Sequence, residues 1–318
     1  MVAGDSARVV FFGTPEFAVP TFDELLHSPY DVVGVVTQPD RPRGRGQKTS
    51  ASPVKAAALA AGTRVLQPES VKDPAFLADL KELSADIGVV AAYGQILPEV
   101  VLATPPLGMI NVHASLLPRY RGAAPVHRAV INGDVETGVT IMRVVKALDA
   151  GAMLAVERRP ISPDETSDEV ERDLSVLGAR LLVSTLPSVR DGTIRETAQD
   201  AATATYAPRL TKDEGRIDWA WPAERIHNLI RGLHPWPHAF TFAGSERLIV
   251  HRSHVVHRTE PALPGMVLAA RGDLLLVAAG INNVQIVELQ AEGRRPMPAQ
   301  EFLAGHPLAT GAVLRPSS

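Results

Sequence analysis

Short apolar runs alternate with helix-like stretches through the first 112 residues, and this alternation limits the folds that the chain can adopt. The predicted strands cover residues 8–12, 32–36, 87–91 and 109–112. The predicted helices among them cover residues 53–61 and 74–83. Strands and helices that alternate at this spacing form a parallel sheet with right-handed crossovers and helices on both faces. The sequence therefore predicts an α/β fold that begins with a Rossmann-like, doubly wound, mostly parallel sheet.

Local start signals support two helices. Thr14, Pro15 and Glu16 follow the first strand and supply an N-cap, a proline for the first helical position and an acid for the first turn. Ser52 and Pro53 open the helix at 53–61 in the same manner. We therefore expect these two helices to begin at those caps.

The pattern changes after a long helix. Residues 137–145 resemble an edge or antiparallel strand. The long helix is predicted at residues 166–186, which begin with an acidic cluster and are amphipathic. Residues 190–208 lack strong periodicity and are poor in bulky apolar side chains, which predicts a linker. The expected division is a first domain at 1–189, this linker, and a second domain at 209–318.

The second domain has the pattern of a small all-β fold. One helix-like stretch at 222–233 precedes short strands that are separated by Gly, Asp and Asn. These strands cover residues 239–242, 247–256, 266–270, 274–278 and 284–289. Short strands with such turns favour a small barrel or sandwich, and we predict an OB-like β-barrel.

Composition excludes several classes of protein. The chain contains no cysteine, which removes disulfides, thiolate nucleophiles and cysteine-based metal sites from consideration. Its formal net charge is −3, so overall charge gives no indication of a nucleic-acid partner. No apolar run reaches the ~18–20 residues that a membrane span needs, and no basic segment followed by an apolar one opens the chain. The expected location is the cytoplasm.

One predicted strand carries two polar groups of catalytic type. Asn111 and His113 lie at the end of the apolar strand that starts at Met109. Because side chains alternate along a strand, both emerge on the same face. In open parallel sheets, ligands bind beyond the carboxyl ends of the strands, so this pair is a candidate for contacting one substrate.

Two nearby segments extend the candidate site. Asp149 closes the next strand and offers a carboxylate to His113, although an Asp before small residues is, alone, more often a turn former. Residues 119–122 form a turn whose backbone amides we expect to hold a flat polar heterocycle. A lone histidine among ten is usually structural, but an amide, an imidazole and a carboxylate together indicate a reactive centre.

These motifs resemble those of the folate-dependent formyltransferases. The signature runs through residues 111–118, Asn-x-His-x-Ser-Leu-Leu-Pro, and continues at 121–125, 137–140 and 148–151. Further matches lie at 12–17, 38–42, 44–46, 52–55, 92–98, 216–219, 235–237 and 299–303. They are most similar to the branch that acts on initiator methionyl-tRNA. The resemblance extends over nearly the whole chain, with Ala114 standing where some relatives have Gly.

The resemblance implies a set of roles. It assigns catalysis to Asn111, His113 and Asp149, and contact with folate to the segment Ser115, Leu116, Leu117 and Pro118. The implied formyl donor is 10-formyltetrahydrofolate, and no metal is required. Amine attack on its formyl carbon forms a tetrahedral oxyanion, to whose stabilisation one donor typically contributes about 3–4 kcal/mol. Because imidazoles ordinarily titrate near neutral pH, His113 suits proton transfer from the amine to the folate nitrogen, with Asp149 orienting the ring.

A basic segment interrupts the strand and helix pattern after the second strand. Residues 40–48 contain four basic residues and one acid, and such a run is either a solvated loop or a nucleic-acid contact. In the family branch that acts on methionyl-tRNA, the matching loop contacts the acceptor stem of the initiator tRNA. The implied tRNA-binding residues are Arg41, Arg43, Arg45 and Lys48, with Arg45 prominent. Arginine forks suit phosphates and unpaired bases.

The second domain is only mildly basic. Residues 209–318 contain 12 Arg and Lys against 10 Asp and Glu, and seven of the ten histidines. The resemblance implies that this OB-like barrel grips tRNA. We also expect a monomer without a membrane partner. We expect Trp219, Trp221 and Trp236 to pack in the core or at a hinge rather than to stack on bases.

Other functions compete with this interpretation. The same chemistry can serve an amino sugar nucleotide or glycinamide ribonucleotide, and with water as acceptor the enzyme would be a formyltetrahydrofolate hydrolase. A nucleotide-binding oxidoreductase is disfavoured because no Gly-x-Gly-x-x-Gly follows the first strand. A non-catalytic RNA-binding protein would leave Asn111, His113 and Asp149 without a role.

Overall fold

The structure is a computed structural model that describes residues 6–43 and 48–317. The chain forms two compact units, each built from three segments. Unit 1 comprises residues 1–122, 138–159 and 171–206, and unit 2 comprises residues 123–137, 160–170 and 207–318. Because the units interleave along the chain, the boundaries 1–189, 190–208 and 209–318 stay a prediction. Among the described residues, no helix is both long and apolar enough to cross a membrane.

The secondary structure elements follow in chain order. The strands are β1 Arg8–Gly13, β2 Asp31–Val36, β3 Arg41–Arg43, β4 Lys48–Ser50, β5 Val65–Leu66, β6 Ile87–Ala91, β7 Met109–His113, β8 Arg121–Gly122, β9 Glu136–Arg143, β10 Met153–Pro160, β11 Tyr206–Ala207, β12 Ala239–Ala243, β13 Glu246–Val256, β14 Val267–Arg271, β15 Leu274–Ala278, β16 Asn283–Ala291, β17 Met297–Pro298 and β18 Leu314–Arg315. The helices are α1 Val19–Leu26, α2 Pro53–Ala60, α3 Pro74–Glu82, α4 Glu99–Leu102, α5 Pro125–Ile131, α6 Ser167–Arg190, α7 Ala223–Gly232 and α8 Ala299–Gly305. Short 3₁₀ helices cover Glu16–Ala18, Ala201–Thr203 and Lys212–Gly215.

Unit 1 is organised around a seven-stranded sheet. Its strand order is β10-β9-β7-β6-β1-β2-β5. The five strands from β7 to β5 pair in parallel, whereas β9 runs antiparallel to β7. The predicted Rossmann-like, mostly parallel sheet is confirmed. The segment predicted at 137–145 is antiparallel, but the strand at this edge of the sheet is β10, which was not predicted because its charged residues obscure the alternation.

Helices cover both faces of this sheet because β1, one of its inner strands, is apolar from Val9 to Phe12. The ring of Phe11 in β1 lies 5.7 Å from that of Phe22 in α1. The next residue, Phe12, faces the opposite side and shares a core with Phe76 and Leu80 of α3. A strand buried on both faces reads as a continuous apolar run, and each such side chain contributes about 1.5–3 kcal/mol on burial.

The two predicted helix starts have different outcomes. Ser52 caps α2 as predicted, since its hydroxyl accepts a hydrogen bond from the backbone N–H of Lys55 at 3.1 Å. Thr14 does not act as an N-cap, because its hydroxyl donates instead to the backbone oxygen of Tyr93 at 3.0 Å. The prediction for Thr14 is therefore wrong: its side chain joins the chain that follows β1 to the chain that follows β6.

Helix α6 extends to Arg190 and packs closely on the sheet of unit 1. A Cβ atom added at Gly178 would lie 2.6 Å from Cγ1 of Val112 in β7 and 3.1 Å from Cγ1 of Val139 in β9. Glycine therefore lets the helix backbone approach β7 directly behind the positions of Asn111 and His113.

Unit 2 contains the second seven-stranded sheet, and all its pairs are antiparallel. The order is β14-β15-β16-β13-β12-β18, with β17 paired to β16. An isolated antiparallel bridge joins Met266, beside β14, to Val313, beside β18. This bridge links the two ends of the sheet, so the predicted small OB-like barrel is confirmed. Its core includes Trp219, Leu229 and Phe302.

The three tryptophans of unit 2 have different environments. Trp219 is buried and donates its indole N–H to the Thr241 hydroxyl at 2.9 Å. The Arg225 guanidinium lies 3.6 Å from the ring centre of Trp221. Trp236 is 51% exposed and so does not pack in the core, and its expected place at a hinge stays a prediction.

Candidate active site

Strand β7 holds Asn111 and His113 inside the sheet of unit 1. The strand pairs with β6 on one side and with β9 on the other, where Asn111 lies opposite Met142 and His113 opposite Thr140. His113 is buried with 5% exposure, and Asn111 is half-buried. Pairing on both sides fixes the backbone of β7, so the two side chains, at alternate positions of one strand, project from a rigid support.

A backbone carbonyl sets the orientation of the His113 ring. Nε2 of His113 lies 3.0 Å from the backbone oxygen of Tyr120. Because a carbonyl oxygen only accepts hydrogen bonds, Nε2 carries the proton in the neutral ring, and Nδ1 carries the lone pair. Nδ1 faces Oδ2 of Asp149 at 3.8 Å, which is too long for a direct hydrogen bond. Tyr120, rather than Asp149, therefore orients the ring, and Nδ1 is the atom that accepts a proton beside a carboxylate.

Asp149 lies in the turn between β9 and β10, later in the chain than the strand end at which it was predicted. Its backbone adopts φ = +47°, a left-handed conformation that Asp tolerates better than most residues. Oδ2 of Asp149 accepts a hydrogen bond from the Gly122 N–H at 2.8 Å. At Gly151, an added Cβ would lie 1.9 Å from the backbone oxygen of Arg143, so only glycine fits at that end of the turn.

Gln199 holds the Asp149 turn, a role that the sequence did not predict. Its side-chain amide donates to the backbone oxygens of Asp149 and Gly151, both at 2.8 Å. Its side-chain oxygen accepts from Nε and Nη2 of Arg121 at 3.0 and 2.8 Å. Gln199 lies in the segment predicted as a linker, where a single glutamine gives no local signal of such a role.

Asn111 is the member of the trio with unused hydrogen-bonding capacity. In residues 6–43 and 48–317, its side-chain amide makes no hydrogen bond, although the side chain is half-buried. Its donors and its acceptor are therefore available to a bound molecule, whereas His113 and Asp149 are already placed by Tyr120 and Gly122.

Internal hydrogen bonds also fix the segment 115–118. The Thr140 hydroxyl donates to the backbone oxygen of Ser115 at 2.7 Å and accepts from the Leu117 N–H at 3.2 Å. The Ser115 hydroxyl donates to the backbone oxygen of Arg119 at 2.7 Å. Leu116 and Pro118 remain half-buried, so an ordered segment with partly exposed apolar side chains follows the catalytic candidates directly.

The expectation that the amides of residues 119–122 hold a heterocycle is wrong. The Arg119 N–H donates to the Leu116 oxygen, and the Gly122 N–H donates to Asp149. The N–H groups of Tyr120 and Arg121 donate to the hydroxyl and the backbone oxygen of Thr205, at 2.9 and 2.8 Å. All four donors are engaged within unit 1, and they serve to position the Asp149 carboxylate and the Tyr120 carbonyl.

The predicted tRNA-contact segment is framed by a hairpin. Strands β3 and β4 pair antiparallel with Arg43 opposite Lys48, and Arg41 is exposed opposite Ser50. Arg45 lies outside the described residues. The hairpin therefore carries three of the four predicted basic positions on its two strands.

A polar network holds the base of this hairpin. Nζ of Lys55 in α2 lies 2.5 Å from Oδ2 of Asp40, and the Gln67 amide donates to Oδ1 at 2.9 Å. The hydrogen bonds from Lys55 and then Gln67 lower the pKa of Asp40 from its ordinary value. The same amide of Gln67 donates to the backbone oxygen of Gln38 at 3.0 Å, so the entry to the hairpin is fixed to the sheet edge.

Comparisons with known proteins agree with this architecture. The formyl transferase family model matches residues 7–186, and the model of the formyl transferase C-terminal domain matches residues 209–307. The chain is 50% identical to methionyl-tRNA formyltransferase of Caldanaerobacter subterraneus subsp. tengcongensis over 97% of this chain and 100% of that protein. It is 48% identical to that of Solibacter usitatus, over 96% and 98%. The chain belongs to the methionyl-tRNA formyltransferase family.

Solved structures share the fold of this formyltransferase at low sequence identity. An N-formyltransferase from Helicobacter canadensis, solved with folinic acid and dTDP-3-aminofucose, has a TM-score of 0.68 at 16% identity, over 88% of this chain and 99% of that one. HypX from Aquifex aeolicus, solved with tetrahydrofolic acid, has a TM-score of 0.66 at 15% identity over 94% of this chain. The formyltransferase chain spans 47% of that HypX chain.

The role of Gln199 in this formyltransferase is tested by two substitutions. Gln199→Ala removes hydrogen bonds to Arg121, Asp149 and Gly151, and we expect it to lower the free energy of unfolding by on the order of 2–4 kcal/mol. Gln199→Glu keeps the acceptor for Arg121 but loses both donors to the turn. Urea denaturation and amide hydrogen exchange across residues 149–153 measure the two effects.

Both variants should accelerate amide hydrogen exchange in the turn. Gln199→Glu should have a higher free energy of unfolding than Gln199→Ala, because it keeps the acceptor for Arg121. Unchanged exchange at 149–153 in both variants would show that Gln199 does not hold the turn.

Proposed function

We propose that this enzyme transfers the formyl group of 10-formyltetrahydrofolate to the α-amino group of methionine on initiator methionyl-tRNA. The observation that carries the proposal is the 50% identity to a methionyl-tRNA formyltransferase over 97% of this chain and 100% of that protein. The neighbour solved with an amino sugar nucleotide shares 16% identity, which supports a common fold only. An amino sugar nucleotide is therefore the less favoured acceptor.

The groups of the candidate site fit such a reaction. Asn111 offers an unengaged amide at the carboxyl end of β7, where ligands bind in open parallel sheets. Beyond it, Ser115, Leu116, Leu117 and Pro118 form the ordered segment that we assign to folate contact. A flat ring system binds well to ordered backbone with apolar side chains, because little conformational entropy is lost there.

Each member of the trio has a separate task in the proposed mechanism. The methionyl amine attacks the formyl carbon, and Asn111 donates a hydrogen bond to the oxygen on which negative charge develops. Nδ1 of His113 accepts the proton that the amine loses, because Nε2 is occupied by Tyr120. Asp149 stabilises the resulting imidazolium across 3.8 Å. His113 then returns the proton to the folate nitrogen as the bond from that nitrogen to the formyl carbon breaks.

In this proposal, both predicted domains bind the tRNA. Arg41, Arg43, Arg45 and Lys48 contact its acceptor end, and the hairpin network at Asp40 supports this role because a fixed base limits the entropy lost on binding. Residues 1–189 act as the catalytic domain and 209–318 as the OB-like tRNA-binding domain, with 190–208 between them. The enzyme acts as a monomer in the cytoplasm.

Acceptor preference tests the function directly. Purified enzyme is incubated with 10-formyltetrahydrofolate and, in separate reactions, with initiator methionyl-tRNA, elongator methionyl-tRNA, free methionine and a dTDP-amino sugar. We expect formyl to appear on initiator methionyl-tRNA far faster than on the other acceptors, measured by mass spectrometry. Faster formylation of the amino sugar, or release of formate without an acceptor, would contradict the proposal.

The role of Arg45 is tested by its removal. Arg45→Ala should weaken tRNA binding and reduce the slope of log affinity against log salt concentration by about 1, because one phosphate contact is lost. The KM for the folate should stay unchanged. A matched control is Arg180→Ala, which removes an exposed arginine of α6 and should leave both quantities as in the wild type. If Arg45→Ala weakened binding of tRNA and of folate to the same extent, the result would contradict a role in tRNA contact.

A further inference from the structure

Three histidines converge in unit 2, far apart in sequence from the catalytic trio. His234 and His238 flank the Pro-Trp-Pro turn that follows α7, and His251 lies in β13. One ring nitrogen from each lies within 4.8 Å of the others. The ring centres of His238 and His251 are 4.5 Å apart, and that of His234 is 5.5 and 6.1 Å from them.

Two of these rings carry polar atoms that are buried without a partner. Nδ1 of His234 and Nδ1 of His238 have no hydrogen bond within the described ranges. A buried nitrogen that can neither donate nor accept costs about 1–3 kcal/mol, and native proteins rarely leave such groups unsatisfied. Two of them beside a third imidazole indicate a ligand that all three share.

The third ring is held in a defined tautomer. Nε2 of His251 lies 3.0 Å from Oε1 of Gln290, and the Gln290 amide donates to the backbone oxygen of Arg294 at 2.6 Å. The second hydrogen bond fixes which end of the amide faces the ring, so Nε2 is the donor and Nδ1 carries the lone pair. An outer hydrogen bond of this kind is what metal-ligating histidines usually make.

Backbone geometry at His238 also favours a functional role. The residue adopts φ = +68°, a conformation that costs roughly 1–2 kcal/mol outside glycine and that recurs at functional sites.

We propose that His234, His238 and His251 bind one divalent transition-metal ion of the zinc class, with water completing the coordination. Zinc lies about 2.0–2.1 Å from imidazole nitrogens, which places tetrahedral ligands about 3.4 Å apart. From the present separations, each nitrogen needs to move by less than about 1 Å. Imidazoles select zinc, cobalt, nickel or copper over magnesium and calcium.

A bound ion would fix the turn after α7 to β13 and so stabilise the barrel of unit 2. This site does not depend on the proposed function, because the formyl-transfer trio belongs to unit 1 and requires no metal.

Cobalt provides a spectroscopic test on the full-length protein. Tag-free enzyme is stripped with a chelator, dialysed and titrated with Co²⁺ alone. We expect visible d–d absorption that saturates at one equivalent and is abolished by one equivalent of Zn²⁺. Added Zn²⁺ should also raise the Tm, because an ion that binds only the folded state stabilises it.

Matched variants locate the site. His238→Gln and, separately, His234→Gln should lose the cobalt absorption and the zinc-dependent rise in Tm while keeping the circular dichroism spectrum of the folded enzyme. His254→Gln is the control, because His254 lies in the same strand as His251 but is 52% exposed and pairs with Asp164 at 3.1 Å. It should bind cobalt as the wild type does.

The proposal is overturned if the wild type shows no saturable absorption at one equivalent. It is equally overturned if the absorption persists in folded His238→Gln and His234→Gln, or if it disappears in His254→Gln. Two independent ligand variants keep the test decisive when one of them fails to fold.

Discussion

The hydrogen bond between Nε2 of His113 and the Tyr120 carbonyl is the interaction on which the rest of the candidate active site depends. It assigns the proton of the neutral ring to Nε2 and turns Nδ1 toward Asp149. Tyr120 is itself held through its N–H by the hydroxyl of Thr205, and the Gly122 amide fixes the carboxylate of Asp149. Backbone groups thus orient both the His113 ring and the Asp149 carboxylate, which is the arrangement that the proposed proton transfer requires.

Most of the supporting scaffold follows from the pattern of apolar residues. The uninterrupted apolar run of β1 and the buried run of β6 predict a central parallel sheet, because only strands covered on both faces can be apolar throughout. The alternation of side chains along β7 is enough to place Asn111 and His113 on one face of the sheet. The resemblance of the signature around these residues to the folate-dependent formyltransferases names the same trio.

Sequence patterns did not predict the contacts that join distant parts of the chain. Gln199 and Thr205 lie in a segment of weak periodicity, yet both support the Asp149 side of the site. The amides of residues 119–122 were expected to bind a ligand, but Thr205 and other internal acceptors engage them. The convergence of His238 with His251 likewise depends on the barrel, since a single histidine in a strand carries no signal of its neighbours.

His113 and Asp149 act as one unit in the proposed mechanism, and a double-mutant cycle measures this coupling directly. Single-turnover formyl transfer to initiator methionyl-tRNA is followed for His113→Ala, for Asp149→Asn, which keeps an acceptor for Gly122, and for the double variant. His27→Gln, which alters an exposed histidine of unit 1, serves as the control. Each single variant should lose roughly 10²–10⁴-fold in rate, and the double variant should lose little more than the worse single one. Rates within a few-fold of wild type, or losses that multiply in the double variant, would contradict the coupling.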